Sequence, residues 1–372
     1  MPNPYDPQTP ARPEYFGGRE QVLTKVRERI AIAKYHKKSG GILIYGHRGV
    51  GKTSLINKII SEMSGSEDNP SDVLIISRRL ARTTNDQELY KLLNEELNRQ
   101  VERRKNLIEK IKTASKSVER ISAFGFGLSS PKKDVESSSY HRWRENVENL
   151  KNVKLILIAL DDADFLSIEA VGELKTIVEE MSDTPILLTI SGFMDFEEKL
   201  VDKYSPVARI FSGANFNIGR FSIDETKEVL TKPLLNEKTE WTEDAISALQ
   251  KMTSGYPYLV QCVASASYIE NGQINDEIVK GSVKNAVNIG KSWLDHEIPA
   301  ASDQDVISFA KITSLNKDVM QSTEISNVGV SPPYIGRLVK LKILKQIRRG
   351  RYSLEKSPMI AIFEKLKRGL SN

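Results

Sequence analysis

The chain has 372 residues, room for two or three domains at roughly 150 residues each, which excludes a small scaffold that needs staples to hold its core. Its one cysteine, Cys262, cannot form an intrachain disulfide, so a cytoplasmic location is expected. The formal net charge of +5 is unevenly spread: residues 331–372 carry 11 Lys or Arg against 2 Glu, a net of +9, and the first 330 residues sum to −4. A basic end on an acidic body suits a polyanion partner, and a solvated charged surface has the same composition.

Residues 1–13 are proline-rich, carry Asp6 and Arg12, and lack the apolar run of a signal peptide. They read as a strap or an unstructured lead-in. Over 20–34, Val22, Leu23, Val26, Ile30 and Ile32 fall mostly at helical spacing, and Gly40-Gly41 is expected to end that helix. Residues 42–45 form a short buried-type strand leading into a glycine-rich turn, and 54–63 reads as a helix.

Three further apolar runs, 73–77, 153–160 and 186–190, alternate with helical patterns such as 167–181. Buried strands alternating with helices predict an α/β fold with a parallel sheet. The longest of these runs, 153–160, is broken by Lys154 and meets Asp161 and Asp162, far short of the ~20 residues of a membrane-spanning helix, so no membrane partner is expected. The stretch 87–149 is too long for one crossover helix. Its first half has the pattern of a long amphipathic helix (Leu92, Leu93, Leu97, Val101, Leu107, Ile108, Ile111), while 121–128 alternates as a short strand or a loop. The segment of about 97–150 is taken as an insertion.

After 215–221 the pattern is helical only: a Ser222/Glu225 capping box, a helix opening at Thr242, another at Pro257 after Gly255, and a fourth at Asn275. From Asp303 onward come two short helices, a helix start at Ser331-Pro332-Pro333 and a hairpin over 343–354 turning at Gly350. That order predicts a winged helix-turn-helix.

The segment Gly46-His47-Arg48-Gly49-Val50-Gly51-Lys52-Thr53 matches G-x-x-x-x-G-K-[ST] where a strand gives way to a helix, the context the motif requires. Glycines let the chain wrap a phosphate so that backbone N–H groups and the helix N-terminus face the negative charge. Gly46, His47, Arg48, Gly49, Val50, Gly51, Lys52, Thr53 and Ser54 are therefore the expected nucleotide contacts. Lys52 would reach the β/γ-phosphates and the Thr53 hydroxyl would ligate Mg²⁺. At the end of the most apolar strand, Asp161 would hold the metal directly or through water, and Asp162 would orient or polarise the attacking water, with Asp164 as its rival. Ser191, at the tip of the next strand, could touch the γ-phosphate or that water. Arg209, a lone cation in an apolar setting, either pairs with a carboxylate or completes a neighbour's site.

These residues resemble the AAA+-like and STAND-like ATPases of the archaeal ATPase and origin-recognition type, over nearly the whole chain. Phe16-Gly17-Gly18-Arg19-Glu20 looks like the family's hydrophobic-G-R-E box, which implies that Arg19 packs near the base. The resemblance makes Asp161-Asp162 the Walker B pair, Ser191 a sensor and Arg209 the arginine that follows it. Gly255-Tyr256-Pro257 is similar to the G-x-P motif of the lid, whose proline, here Pro257, approaches adenine. Two departures stand out. Asp162 replaces the commoner Glu, and the lid helix, Tyr-Pro-Tyr-Leu-Val-Gln, has no second sensor arginine. Both favour a slow nucleotide switch over a processive motor. The Asn/Thr-Lys-x-Asp signature of guanine readers is absent after Asp162, which leans towards ATP.

In the last block, Ile335, Leu338, Val339 and Leu341 could face a core while Arg337 and Lys340 face out, and the hairpin carries Lys342, Lys345, Arg348, Arg349 and Arg351. Clustered bases without an intervening acid suit phosphate contacts with duplex DNA, and with Gln346 as the main base-reading residue, affinity is better supported than specificity.

The expected organisation is an α/β P-loop, AAA+-like parallel-sheet core over 1–221, a helical lid domain over 222–299 and a C-terminal winged helix-turn-helix over 300–372. The expected function is an ATPase that binds and slowly hydrolyses MgATP, self-associates on ATP binding and couples nucleotide state to DNA binding through the winged helix. The alternative is a STAND-like signalling or assembly ATPase whose winged helix binds protein.

Overall fold

The computed structural model describes residues 3–64, 72–114, 139–150, 153–179, 184–194, 196–197, 200, 206–317 and 319–370, with side chains of 106–114 excepted. The expected element at 121–128 lies outside them. By contact the chain separates into two units: Arg19–Gly46 with Lys52–Ile218, and Met1–Gly18 with His47–Gly51 and Gly219–Asn372.

The first unit is an α/β layer structure. Its elements are α1 (Glu20–His36), β1 (Gly40–Tyr45), α2 (Lys52–Met63), β2 (Val73–Arg79), α3 (Asp86–Ala114), α4 (Ser139–Glu148), β3 (Leu155–Asp161), α5 (Ile168–Glu179), β4 (Ile186–Gly192) and β5 (Asn215–Asn217). The strands form one parallel sheet in the order β2-β3-β4-β1-β5. Every residue of β3 and β4 is buried, as parallel strands covered on both faces require. Because β1 sits between β4 and β5, the chain leaving its carboxyl end must cross to β2 at the far edge, and such a point is where open α/β sheets bind ligands.

One sequence expectation changes here, and two features come to light beside it. The Gly40-Gly41 pair does not end the first helix. That helix stops at Lys37, whose φ of 51° is left-handed, and the glycines open β1. The reason is space: a Cβ on Gly41 would stand 2.5 Å from the Phe211 ring. The short β5 is a fifth strand that the polar Asn215 and Asn217 conceal. Finally, the described parts of the 97–150 segment, read as an insertion, are packed into the core. Leu97 and Val101 of α3 and Trp143 and Val147 of α4 are buried in the same cluster as Leu74, Ile76, Ile156 and Ile158.

In the second unit the N-terminal segment is a strap. Buried Tyr5 donates from its hydroxyl to the Leu230 carbonyl and accepts from Trp241 Nε1 at 2.8 Å, and Asn3 Nδ2 donates to the Ser265 carbonyl at 2.8 Å. The helical part contains α6 (Ile223–Thr231), α7 (Glu243–Thr253), α8 (Pro257–Ser267), α9 (Asp276–Gly281) and α10 (Val283–Leu294). The Ser222/Glu225 capping box is formed, and Thr242 and Asn275 cap their helices as expected. The region is not helical only. Strands β6 (Thr239–Trp241) and β7 (Gly272–Ile274) pair in parallel within it.

The last part of this unit runs α11 (Asp303–Thr313), β8 (Val319–Gln321), α12 (Ser322–Asn327), α13 (Pro332–Lys340), β9 (Leu344–Arg348), β10 (Arg351–Leu354) and α14 (Pro358–Arg368). Its three strands form an antiparallel sheet in the order β8-β10-β9, the arrangement of a winged helix. Phe309, Ile325, Leu338, Ile343 and Phe363 are buried at its centre, and each such side chain contributes about 1.5–3 kcal/mol on burial. No helix among the described residues is long and apolar enough to cross a membrane.

Candidate nucleotide site

At the carboxyl ends of β1, β3 and β4 the first unit brings four of the expected residues together. The loop after β1 delivers Lys52 to the start of α2, where its Nζ donates to the Gly46 carbonyl at 2.8 Å and lies 5.1 Å from the centre of the Phe193 ring. One residue on, the Thr53 hydroxyl donates to Asp161 Oδ2 at 2.7 Å. Ser191 donates to the other carboxylate oxygen of Asp161 and accepts from the Asp162 backbone N–H at 3.0 Å. Asp161 and Ser191 are both buried, so each uses the other to satisfy groups that water no longer reaches.

Asp162 takes a different partner. Its φ of 57° turns it out of the strand, and its Oδ2 accepts from Arg79 Nε at 2.9 Å. The same Nε is 3.9 Å from Asp161 Oδ2. This hydrogen bond raises the pKa of Arg79 above its ordinary value, the charge of Asp162 adding to it and partial burial opposing it. Arg79 escaped sequence reasoning. Its only signal was a base at the end of an apolar strand, and the pairing appears once β2 lies beside β3 with Arg79 in register with Asp161. Asp164, the rival to Asp162, instead accepts from the Phe193 backbone N–H at 2.8 Å and ties the turn after β3 to the one after β4.

The donor set fits magnesium, which takes hard oxygen ligands and needs only one or two from protein beside those of a phosphate. Thr53 and Asp161 supply two oxygens that face each other, and no cluster of three or more His, Cys, Asp or Glu competes for a metal among the described residues.

The tip of the phosphate loop, His47–Gly51, is held within the second unit. Gly49 and Gly51 have φ of 79° and 92°, a region open to glycine at little cost. The Gly49 carbonyl accepts from the Tyr258 backbone N–H at 3.1 Å, in the first turn of α8. Arg48 stands over the Trp293 ring at 5.5 Å, Trp293 meets Tyr258 edge-on at 4.4 Å, and a Cβ on Gly49 would be 3.0 Å from Met359. Pro257, one residue before Tyr258, is the buried first residue of α8. Val50 is buried, and Ser54 lies in the first turn of α2.

Arg19 is the left-handed N-cap of α1 and is almost fully buried. Arg209 is exposed in a 3-10 turn at Arg209–Phe211 and forms no salt bridge among the described residues.

On the winged helix, Lys340, Lys342, Lys345, Arg348, Arg349 and Arg351 are exposed, and none forms a salt bridge among the described residues. Arg337 faces out as expected and is half exposed, and it also gives its Nε to both carboxylate oxygens of buried Asp305, at 2.6 and 2.8 Å. Burial alone would raise the pKa of Asp305, but the Ser302 hydroxyl and the Arg337 guanidinium outweigh it and hold the carboxyl below its ordinary value.

A parallel sheet of this order, with a phosphate loop after its first strand and a carboxylate–hydroxyl pair at the adjoining strand ends, defines a P-loop nucleoside triphosphatase. Residues 35–200 match the model of the AAA domain, a segment that holds the phosphate loop and the Asp161-Asp162 pair, and the chain is an ATPase with a domain similar to that family. Solved structures share the fold over almost the full length. The Walker-type ATPase of Pyrococcus abyssi superposes with a TM-score of 0.53 at 17% identity, covering 97% of this chain and 99% of that one. The ORC2 protein of Aeropyrum pernix, solved in ADPNP–ADP complexes, gives 0.54 at 12%, covering 96% and 98%. No curated protein sequence matches the chain.

Proposed function

We propose that this ATPase is a slow MgATP switch whose nucleotide state governs the binding of duplex DNA by the winged helix. The observation that carries the DNA half is the run of six exposed bases, Lys340 to Arg351, without an acid or a salt bridge among the described residues. Charges left unpaired on a hairpin and a helix are what phosphate contacts require.

At the nucleotide site, Lys52 would exchange the Gly46 carbonyl for β/γ-phosphate oxygens, aided by the N-terminus of α2. Thr53 and Asp161 would hold Mg²⁺, which when bound spreads the developing charge over the phosphates. Ser191 keeps the Asp161 carboxylate oriented. Asp162, once free of Arg79, would accept a proton from the water that attacks the γ-phosphorus as the bond to the β–γ bridging oxygen breaks. A short carboxylate that starts in a salt bridge supports slow turnover. Arg209, exposed and outside any salt bridge among the described residues, suits a site in a neighbouring copy. Specific ATPase activity should then rise with protein concentration, and Arg209→Ala should abolish that rise. The boundaries 1–221, 222–299 and 300–372 are retained as the working division into core, lid and winged helix.

The salt dependence of binding to a short mixed-sequence duplex tests the DNA reading. If four to six bases each neutralise a phosphate, log affinity should fall against log salt with a slope of roughly −4 to −5, at about 0.9 per contact. A flat dependence would transfer the winged helix to a protein partner.

A further inference from the structure

Arg337 differs from the other bases of its face in having one part of its guanidinium fixed and the rest outward. Its Nε is held by Asp305, while half of the side chain remains exposed. Asp305 is itself immobilised: it is fully buried, and its Oδ2 also accepts from the Ser302 backbone N–H at 2.8 Å and the Ser302 hydroxyl at 2.7 Å, closing the capping box that starts α11. A guanidinium has five N–H donors in a planar fork. With Nε engaged, the two terminal nitrogens keep four, and among the described residues they make no hydrogen bond. Arg337 shares the exposed face of α13 with Gly336 and Lys340. A Cβ at Gly336 would meet nothing within 4 Å, so packing does not explain a glycine there, and a partner's backbone could come close.

We infer that Asp305 is a positioning residue for nucleic acid: it anchors Arg337 from behind so that the terminal fork is already aimed for a bidentate contact with a backbone phosphate. The inference rests on the DNA reading above. Anchoring removes rotamer freedom before binding rather than during it, which strengthens the contact without adding charge. The other six bases have no such support among the described residues and act as loosely tethered point charges.

Two substitutions in the full chain separate positioning from plain electrostatics and from a merely structural tie between α11 and α13. Asp305→Asn removes a negative charge near the face, so electrostatics alone predicts tighter DNA binding, whereas loss of the anchor predicts weaker binding, by about fivefold. Arg337→Lys keeps the charge, but one ammonium can pair with Asp305 or reach a phosphate, not both. It should bind nearly as weakly as Arg337→Ala and reduce the salt slope by about 0.9, one contact. Fluorescence anisotropy with a mixed-sequence duplex at several salt concentrations reads all of these, with thermal unfolding as the check on folding. Should Asp305→Asn not fold, Arg337→Lys decides alone. Wild-type affinity and slope in Arg337→Lys, or tighter binding by folded Asp305→Asn, would overturn the inference. A wild type without salt-dependent affinity would instead overturn the DNA reading itself and the inference with it.

Discussion

The strand ends of the sheet and the wing of the C-terminal domain treat charge in opposite ways. At the sheet, Lys52 is bonded to Gly46, Thr53 and Ser191 share Asp161, and Asp162 is bonded to Arg79. On the wing, Lys345, Arg348, Arg349 and Arg351 stand exposed without salt bridges among the described residues. Buried polar groups must be satisfied whether or not a ligand is present, so a nucleotide site works by exchanging partners. An exposed cation in water pays little for standing alone, so a polyanion face can simply wait.

The difference predicts that single changes at the sheet matter far more than single changes on the wing. Lys52→Ala should weaken MgATP binding by about a hundredfold or more, the worth of a charge-assisted phosphate contact of about 3 kcal/mol, while the protein stays folded; calorimetry reads this, and unchanged affinity would remove the loop from the binding site. Asp162→Asn should leave ATP affinity nearly intact and lower turnover by about tenfold or more, since an amide fits the space but takes no proton. Arg79→Ala should act in the other direction and more weakly, raising basal phosphate release by roughly threefold as Asp162 loses the cation that occupies it. If Arg79→Ala slows turnover instead, Arg79 contributes to the transition state and the exchange picture fails at that position.

The local parts of this molecule were legible in its sequence, and those that depend on strand order or distant pairing were not. The phosphate loop is contiguous, and its strand, turn and helix each carry their own signal. The Asp161-Asp162 pair was marked by the most apolar strand ending on two acids, and the winged helix by a proline helix start followed by a hairpin. Arg79 was invisible because its meaning comes from β2 lying beside β3, 83 residues away in the Arg79–Asp162 pair. The partner of Arg337 was invisible for a similar reason: helical spacing rightly puts the side chain outside, but Asp305, 32 residues earlier, holds its Nε. The strands β5, β6 and β7 have three residues each, too few for alternation to declare itself.

In the proposed switch, nucleotide at the sheet and DNA at the wing are coupled. The affinity for a short duplex should be compared without nucleotide, with ADP and with a non-hydrolysable ATP analogue plus Mg²⁺, in the wild type and in Lys52→Ala. The account predicts that nucleotide changes DNA affinity by about fivefold or more, that DNA changes analogue affinity by the same factor, as linkage demands, and that Lys52→Ala abolishes both effects. Equal DNA affinity in every nucleotide state, with nucleotide bound, would contradict it.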